Sequence, residues 1–147
     1  MVTFAALYRI VKVMAGLYFH IPFCKSVCAY CDFFRSVRLS DVKRVVEAMH
    51  HELYEQRDFL PNPNFETIYF GGGTPSILAP EELQRFIDSA EKFHDLSNVG
   101  EITVEVNPDD VTPEYVTALR RTDVNRVSMG VQSFSDEELR FMNRRHS

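Results

Sequence analysis

Four strand patterns alternate with four helix patterns along this chain, and this alternation limits the fold more than any other feature. The strand patterns are short apolar or alternating runs at residues 17–21, 67–70, 101–106 and 125–131. Strands that alternate with helices usually form right-handed βαβ units around a parallel sheet. The sequence therefore predicts an α/β fold with a parallel sheet.

Helix start signals follow each strand pattern. We expect Ser40 to cap the first helix and Pro80 to occupy the first turn of the second helix. Thr112 should begin the third helix, and Ser135 with Glu138 should form a capping box for the fourth. These signals predict four helices, one after each strand.

The alternation of side chains within the strands favours a barrel over an open sheet. In the third strand pattern, Glu101, Thr103 and Glu105 share one face, and the apolar residues take the other. An open doubly wound sheet is covered by helices on both faces and favours continuous apolar runs. One polar face suits a barrel lumen, and in such barrels the chemistry lies on the loops after the strands. We predict a partial TIM-like (β/α) barrel containing the first four βα units.

Length and composition indicate one globular domain. The chain has 147 residues, a net charge of −5 and 45% hydrophobic residues. We expect residues 1–13 to be an N-terminal extension and residues 14–147 to be the N-terminal part of the domain, because four βα units do not close a barrel. No uncharged apolar run approaches the ~18 residues of a membrane span. No basic patch extends beyond the short Arg144-Arg145 pair, so nucleic acid is not an expected partner.

Cys24, Cys28 and Cys31 are the only cysteines of the chain. An odd number of clustered cysteines does not suit a secreted disulfide framework, so we expect a reducing, cytoplasmic compartment. Three thiolates can hold three irons of a four-iron cluster and leave the fourth iron open to a ligand. A zinc site with His20 as fourth ligand is the alternative. A redox pair of Cys28 and Cys31 would leave Cys24 without a role.

Other candidate binding residues follow the later strands. The glycine run at 71–73 would let a ligand approach the backbone closely. Glu105 on the lumen face needs a partner, which could be a ligand amine, a ribose hydroxyl or Arg126 of the next strand. Ser128 and Gln132 could bind a ligand or satisfy each other.

Together these motifs resemble the radical S-adenosylmethionine (radical SAM) superfamily. They are Cys-x3-Cys-x2-Cys after the first strand, Gly-Gly-Gly-Thr-Pro after the second, and Glu105 two residues before Asn107-Pro108. The segments at 18–24 and 126–134 resemble the oxygen-independent coproporphyrinogen III oxidase family more narrowly. This resemblance covers residues 14–147.

The resemblance implies cofactors and their contacts. The three cysteines would ligate a 4Fe-4S cluster, whose open iron binds S-adenosylmethionine through its amino and carboxylate groups. In this superfamily, one electron from the cluster cleaves the sulfonium and yields a 5′-deoxyadenosyl radical. The positions that match contacts to the cluster-bound S-adenosylmethionine are Tyr18, Gly72 and Glu105. The positions that match contacts to a second such molecule are Tyr30, Gly73, Thr74, Gln132 and Arg144.

The residues after the third cysteine distinguish two branches of the family. The decarboxylating oxidases continue with glycine and another cysteine, whereas here Cys31 precedes Asp32-Phe33-Phe34. This pattern resembles the heme-chaperone branch, whose members bind heme and deliver it to other proteins. The implied partners are S-adenosylmethionine, heme or porphyrin, heme-receiving proteins and a reductant for the cluster. Decarboxylation of coproporphyrinogen propionates is the alternative, as is a zinc-stabilised domain without redox activity.

Overall fold

Strands and helices alternate throughout the computed structural model, which describes residues 13–61 and 63–147. Within these residues the strands are β1 (Val13–Ile21), β2 (Pro63–Gly72), β3 (Glu101–Val106) and β4 (Arg126–Met129). The α-helices are α1 (Val42–Glu55), α2 (Pro80–Glu91), α3 (Pro113–Leu119) and α4 (Asp136–Phe141). Short 3₁₀ turns lie at Leu39–Asp41, Pro75–Ile77 and Pro108–Asp110. Apart from Val13, the extension expected at residues 1–13 lies outside the described residues.

The sheet has the strand order β1-β2-β3-β4, and every pair of neighbours is parallel. A doubly wound sheet reverses its strand order at a switch point. Here each strand pairs with the next one in sequence, as in a barrel wall. The register places Tyr18 opposite Tyr69, Tyr69 opposite Thr103, and Glu105 opposite Ser128. The structure therefore confirms the predicted α/β fold with the first four βα units of a TIM-like barrel.

The face of the sheet that meets the helices forms the core. The Phe19 ring lies 4.9 Å from both the Phe70 ring and the Phe86 ring, measured between centroids. Burial of each such side chain stabilises the fold by ~1.5–3 kcal/mol. The buried residues of this cluster include Ile21, Ile68, Leu83, Ile87, Val104 and Val106. α2 supplies three of the residues in this core, Leu83, Phe86 and Ile87.

The opposite face carries polar side chains, including Tyr18, Tyr69, Ser128 and Glu105, the last of which strand alternation predicted on this face. Because all four strands are parallel, their C-terminal ends lie on the same edge of the sheet. The cysteine loop, the glycine loop and the turns at 107–110 and 130–133 therefore meet at this edge.

Strand ends differ from the prediction where pairing extends or shortens them. β1 and β2 start earlier than expected, since they pair from Val13 opposite Pro63 to Ile21 opposite Gly72. Pro63 is tolerated as the first residue of a strand, where its missing N–H costs no ladder bond. β4 is shorter than the expected 125–131 and ends at Met129. Neighbouring strands, rather than local propensity, set these ends.

The predicted cap of the first helix is wrong. Leu39–Asp41 forms a 3₁₀ turn, so Ser40 lies inside this turn and Asp41 occupies the N-cap without a side-chain cap bond. Pro80 and Thr112 stand where predicted, and the Thr112 hydroxyl accepts a hydrogen bond from the Tyr115 N–H at 3.2 Å. Among the described residues, no helix is long and apolar enough to cross a bilayer.

Only half of the predicted capping box at α4 forms. The Ser135 hydroxyl accepts a hydrogen bond from the Glu138 N–H at 3.5 Å. The Glu138 carboxylate, however, accepts from the Ser133 hydroxyl, and the Ser135 N–H donates to that same hydroxyl at 3.0 Å. In a capping box the Glu138 carboxylate would accept directly from the Ser135 N–H. Here the Ser133 hydroxyl lies between these two groups.

Candidate functional site

A cavity of about 300 Å³ opens at the C-terminal edge of the sheet. The predicted site residues that line it are Cys24, Cys28, Tyr30, Cys31, Gly72, Gly73, Thr74, Glu105, Gln132 and Arg144. Of the residues expected to bind the cluster or S-adenosylmethionine, Tyr18 does not line it, and neither does His20 of the zinc alternative. The structure therefore brings together residues at or after the C-terminal ends of all four strands, although their roles as ligands remain predictions.

The start of the cysteine loop is fixed to the sheet. Phe23 is almost fully buried and pairs with Ser36 in an isolated parallel bridge. The Cys24 N–H donates to the Ser36 carbonyl at 3.0 Å, and the Ser36 N–H donates to the Pro22 carbonyl at 2.7 Å. A buried aromatic anchor and two backbone bonds therefore set the direction in which Cys24 leaves β1.

The end of α4 holds the middle of the loop. The Ala29 N–H donates to the Met142 carbonyl at 3.0 Å, and the Asn143 amide donates to the Val27 carbonyl at 2.6 Å. Asn143 has a φ of 57°, a left-handed conformation that asparagine tolerates at a helix end. This turn directs the next residue, Arg144, into the cavity.

Arg144 is a major connecting residue of the cavity. Its Nη2 donates to Asn107 Oδ1 and to the Gly130 carbonyl, both at 2.7 Å. Its Nη1 lies 3.4 Å from Cys28 Sγ and 3.5 Å from the Tyr30 hydroxyl. An arginine at a helix C-terminus is often a solvated cation. This one instead contacts the loops that follow β1, β3 and β4, including the Cys28 thiol.

Two of the three thiols receive hydrogen bonds from different groups. The Thr74 hydroxyl donates to Cys24 Sγ at 3.4 Å, whereas Cys28 receives its bond from the Arg144 guanidinium. Burial raises the pKa of Cys24, and the Thr74 bond and the nearby Arg35 charge oppose that shift. Because metals bind thiolates, these donors favour the form of cysteine that can act as a ligand.

The glycine loop allows the cysteine loop to pack directly on it. A Cβ atom on Gly73 would lie 2.6 Å from the Phe23 carbonyl oxygen, so no larger residue fits without moving the backbone. Gly72 has a φ of 109°, which only glycine adopts readily. The Gly73 N–H also donates to the Ile21 carbonyl at 2.8 Å. These glycines have a structural role beyond the predicted ligand contact.

Glu105 is held by groups that the sequence did not indicate. The Tyr69 hydroxyl donates to its carboxylate at 2.7 Å, and the Gly72 N–H donates at 3.3 Å. The alternative that Glu105 pairs with Arg126 is wrong, because the Arg126 guanidinium donates to Glu101 at 3.5 Å and to Thr103 at 3.3 Å. The bond to Glu105, followed by burial, raises the pKa of Tyr69.

Tyr18 lies on β1, the first strand of the sheet, and Gln132 follows β4, the last strand. Tyr18 is 58% exposed on the polar face, and its hydroxyl lies within hydrogen-bond distance, 3.2 Å, of His20 Nδ1. Burial and the Glu105 charge raise its pKa. Gln132 lines the cavity with a left-handed φ of 67° after β4.

Sequence reasoning missed Arg35 and Tyr69. Arg35 lines the cavity and donates to the Phe33 carbonyl at 2.8 Å, and no motif or periodicity marked it. Tyr69 could have been found, since it shares the face of Tyr18 in the parallel register. Among the described residues, the Nε atoms of Arg35 and Arg144 are buried without a hydrogen-bond partner.

The cysteine geometry tests the two metal alternatives. Within the described ranges, no three His, Cys, Asp or Glu side chains converge closely enough to hold a single metal ion. A zinc site with His20 would require such convergence around one ion, and metal analysis of the reconstituted protein separates it from a cluster. A cubane binds each thiolate through a different iron and needs three free thiols spread around one cavity. Cys24, Cys28 and Cys31 are free and fit this requirement.

Comparisons with known proteins agree with this arrangement. The chain is 38% identical over 130 residues to a protein named heme chaperone HemW from Lactococcus lactis, covering 88% of this chain and 34% of that protein. It is 36% identical to HemW from Escherichia coli, covering 89% of this chain and 35% of that protein. The chain thus spans about a third of the length of these relatives.

Two further similarities lie in the neighbouring branch. HemZ from Bacillus subtilis, named an oxygen-independent coproporphyrinogen-III oxidase-like protein, is 36% identical over 96% of this chain and 29% of its own length. The solved structure of coproporphyrinogen III oxidase HemN from E. coli, described as a radical SAM enzyme, superposes with a TM-score of 0.80 at 24% identity. The superposition covers 97% of this chain and 34% of the HemN chain, and the similarity supports the barrel fold.

A family model settles the membership. The model of the radical SAM superfamily matches residues 18–147, from the C-terminal half of β1 to the end of the chain. Membership in this superfamily implies a 4Fe-4S cluster and S-adenosylmethionine. The chain belongs to the radical SAM superfamily.

Proposed function

We propose that this chain is part of an iron–sulfur protein of the HemW type, which binds heme and delivers it to other proteins. The observation that carries the proposal is that three free cysteines line one cavity and that two of their sulfurs receive hydrogen bonds. The relatives named heme chaperone, at 31–38% identity, supply the functional class. The segment after Cys31 also resembles that branch.

The cavity suits a cluster held by three cysteines. Cys24, Cys28 and Cys31 would each bind one iron, and the fourth iron would be open to a ligand that is not protein. Thr74 and Arg144 would donate to cluster-bound sulfurs, and such outer contacts orient ligands and tune a metal centre. When bound, the cluster and S-adenosylmethionine supply one-electron reductive chemistry.

The rest of the cavity offers the groups that S-adenosylmethionine needs. Glu105 and Gly72 form a polar edge near β2 and β3, suited to an amine or a ribose hydroxyl. Tyr18 stands outside the cavity on the same polar face and would contact the same molecule. Tyr30, Gly73, Thr74, Gln132 and Arg144 match contacts to a second molecule of S-adenosylmethionine, which we propose only for the decarboxylating alternative.

The remaining partners follow from the functional class. Heme or porphyrin would bind in the whole protein, with heme-receiving proteins as targets and an external reductant for the cluster. Three free cysteines at an oxygen-sensitive site suit a reducing compartment such as the cytoplasm.

Anaerobic reconstitution of the whole protein with iron and sulfide tests the cluster. We expect a brown protein with about four irons per chain, whose visible absorbance bleaches on reduction. The variant Cys28→Ser should lose this absorbance, whereas Ser26→Ala, which alters a hydroxyl in the same loop, should keep it. A colourless protein with stoichiometric zinc would contradict the proposal.

A second experiment separates the chaperone from the decarboxylase. We expect the whole protein to bind heme stably and to transfer it to an apo heme protein. Coproporphyrinogen should not be decarboxylated when S-adenosylmethionine and a reductant are supplied. Decarboxylation at enzymatic rates, monitored by product mass, would overturn the chaperone assignment and leave the cluster assignment intact.

A further inference from the structure

Asp110 is a buried carboxylate near the cysteine loop that the proposed cofactor contacts do not use. Its side chain is only 2% exposed and forms an ion pair with Lys25. Its other oxygen accepts a hydrogen bond from the Ser76 hydroxyl at 2.8 Å. A buried charge needs such partners, because an unpaired one is costly. Lys25 is the residue next to Cys24, so the carboxylate is tied directly to the cysteine loop.

A second path leads from Asp110 back to the sulfur of the same cysteine. The Ser76 hydroxyl accepts from the Asn107 N–H at 3.2 Å, and the Asn107 amide donates to the Thr74 hydroxyl at 3.3 Å. Thr74 in turn donates to Cys24 Sγ at 3.4 Å. The contacts therefore form a closed ring that begins and ends at Cys24, with the peptide bond to Lys25 as its last link.

The composition of this ring points to positioning rather than to stability alone. A buried ion pair usually contributes no more stability than a well-packed apolar pair of similar volume. Hydrogen bonds and ion pairs are directional, however, and a fully satisfied polar network fixes atoms in place. Thr74, Ser76 and Asp110 are buried, which limits competition from water at the Ser76–Asp110 bond, whereas the Lys25 side chain is 37% exposed.

The residues on either side of Cys24 in the sequence also hold this cysteine in place. Phe23 is buried in the core on one side, and Lys25 is bound to Asp110 on the other. Cys24 is thus held through both neighbours and through its sulfur. Cys28 is held from a different element: Asn143 donates to the Val27 carbonyl, the Ala29 N–H donates to the Met142 carbonyl, and Arg144 donates to the Cys28 sulfur. The support of Cys24 differs because it includes a buried carboxylate and comes from the turn after β3.

We infer that Lys25, Asp110 and Ser76 are positioning residues that hold Cys24 in the geometry required to ligate the cluster. This inference rests on the proposed cluster and adds residues that do not touch it. The ring links the turn after β3 to the loop after β1, so the third βα unit helps to set the position of a ligand that the first unit supplies.

Iron retention in the whole reconstituted protein tests the inference. Asp110→Asn keeps the shape and an acceptor for Ser76 but removes the charge that holds Lys25. Lys25→Met removes the other partner and leaves Asp110 buried and unpaired. Lys92→Met is the matched control, since Lys92 is an exposed lysine at the C-terminal end of α2. Circular dichroism identifies any variant that fails to fold, and Asp110→Asn is the variant expected to remain folded.

We expect iron release to a chelator to be roughly 10- to 100-fold faster in Asp110→Asn and Lys25→Met than in the wild type. The electron paramagnetic resonance spectrum of the reduced cluster should also change, which a general loss of stability would not produce. Lys92→Met should behave like the wild type in both measurements.

Two results would overturn the inference, and they differ in scope. A folded Asp110→Asn variant with the wild-type release rate and spectrum would overturn the positioning role while the cluster assignment stands. A wild-type protein that binds no iron would overturn the proposed cluster and the positioning role together.

Discussion

The two faces of the sheet are made from alternate residues of the same strands, yet different forces hold them. The helix-facing side is packed by apolar side chains such as Phe19, Phe70 and Phe86. The opposite side and its C-terminal edge are joined by directional bonds, among them Tyr69 to Glu105 and Arg144 to Cys28. Apolar burial is proportional to area and has no direction, whereas hydrogen bonds require particular distances and angles.

This difference assigns separate roles to the two regions. Apolar packing tolerates small shifts and supplies most of the free energy of folding. A polar network adds less to stability but fails when one partner is removed. We therefore expect substitutions on the helix-facing side to lower stability, and substitutions at the C-terminal edge to alter the site in a protein that still folds.

The largest effect should come from removing a cysteine ligand. Cys31→Ser should reduce the iron bound per chain to near zero in anaerobic reconstitution, because a hydroxyl is a poor ligand for iron in a cluster. The unfolding midpoint of the iron-free protein should hardly change, since Cys31 is only half-buried in a loop. If the iron-free variant proved unable to fold, the separation between the two regions would be wrong.

The next largest effect lies in the core. Phe86 is fully buried, and its ring centroid lies 4.1 Å from that of His50 and 4.9 Å from that of Phe19. Phe86→Ala should lower the free energy of unfolding by about 3–5 kcal/mol in urea denaturation. Phe134→Ala is the control, because Phe134 is 99% exposed and should change stability by less than ~0.5 kcal/mol. Equal effects of the two variants would contradict the assigned core.

A smaller effect should follow from changing the charge on the polar face. Glu105→Gln should lower the pKa of Tyr69, because the bond to the Glu105 carboxylate is the main cause that raises it. An ultraviolet titration compared with that of Tyr69→Phe isolates this tyrosine. Glu101→Gln, on the same face of β3, should leave the pKa of Tyr69 unchanged. The same result for both glutamates would mean that Glu105 does not accept this bond.

The smallest effect concerns the alkaline limit of stability. Burial raises the pKa of Tyr115 to about 12, so folding favours its neutral phenol. The associated stability is present below the ordinary tyrosine pKa of about 10 and is lost as the pH rises toward 12. Urea denaturation at several pH values should show a shallower alkaline decline for Tyr115→Phe than for the wild type. Tyr54→Phe, at an exposed tyrosine, should keep the wild-type decline, and an unchanged slope in Tyr115→Phe would rule out this origin.

Prediction from sequence succeeded where the signal is local. The parity of β3 placed Glu105 and Thr103 opposite the apolar residues, and the start signals at Pro80 and Thr112 hold in the structure. It failed at Ser40, which lies inside a 3₁₀ turn instead of capping the helix. It also failed at the capping box, where the Ser133 hydroxyl donates to Glu138 in place of the Ser135 N–H. Strand ends failed for a similar reason, since β2 extends along the whole length of β1.

Contacts at the site that join distant parts of the chain were not predictable. Arg144 binds Cys28 across 116 residues, and Lys25 pairs with Asp110 across 85 residues. Nothing near any of these residues in the sequence indicates its partner. Sequence reasoning named Arg144 through family resemblance, but it did not indicate that its guanidinium joins Asn107, Gly130 and a thiol.

The βα alternation, the polar and apolar faces of the strands, and the group of three cysteines that implies an open cluster position can all be read from the order of the residues. These properties depend on residues that are close along the chain, where periodicity and spacing act directly. Only the tertiary structure decided which donors reach Cys24 and Cys28, which groups hold Glu105, and that Asp110 is tied to the cysteine loop. Those contacts exist because parallel strands bring their C-terminal ends to one edge, and hydrogen bonds there depend on distances that sequence separation does not encode.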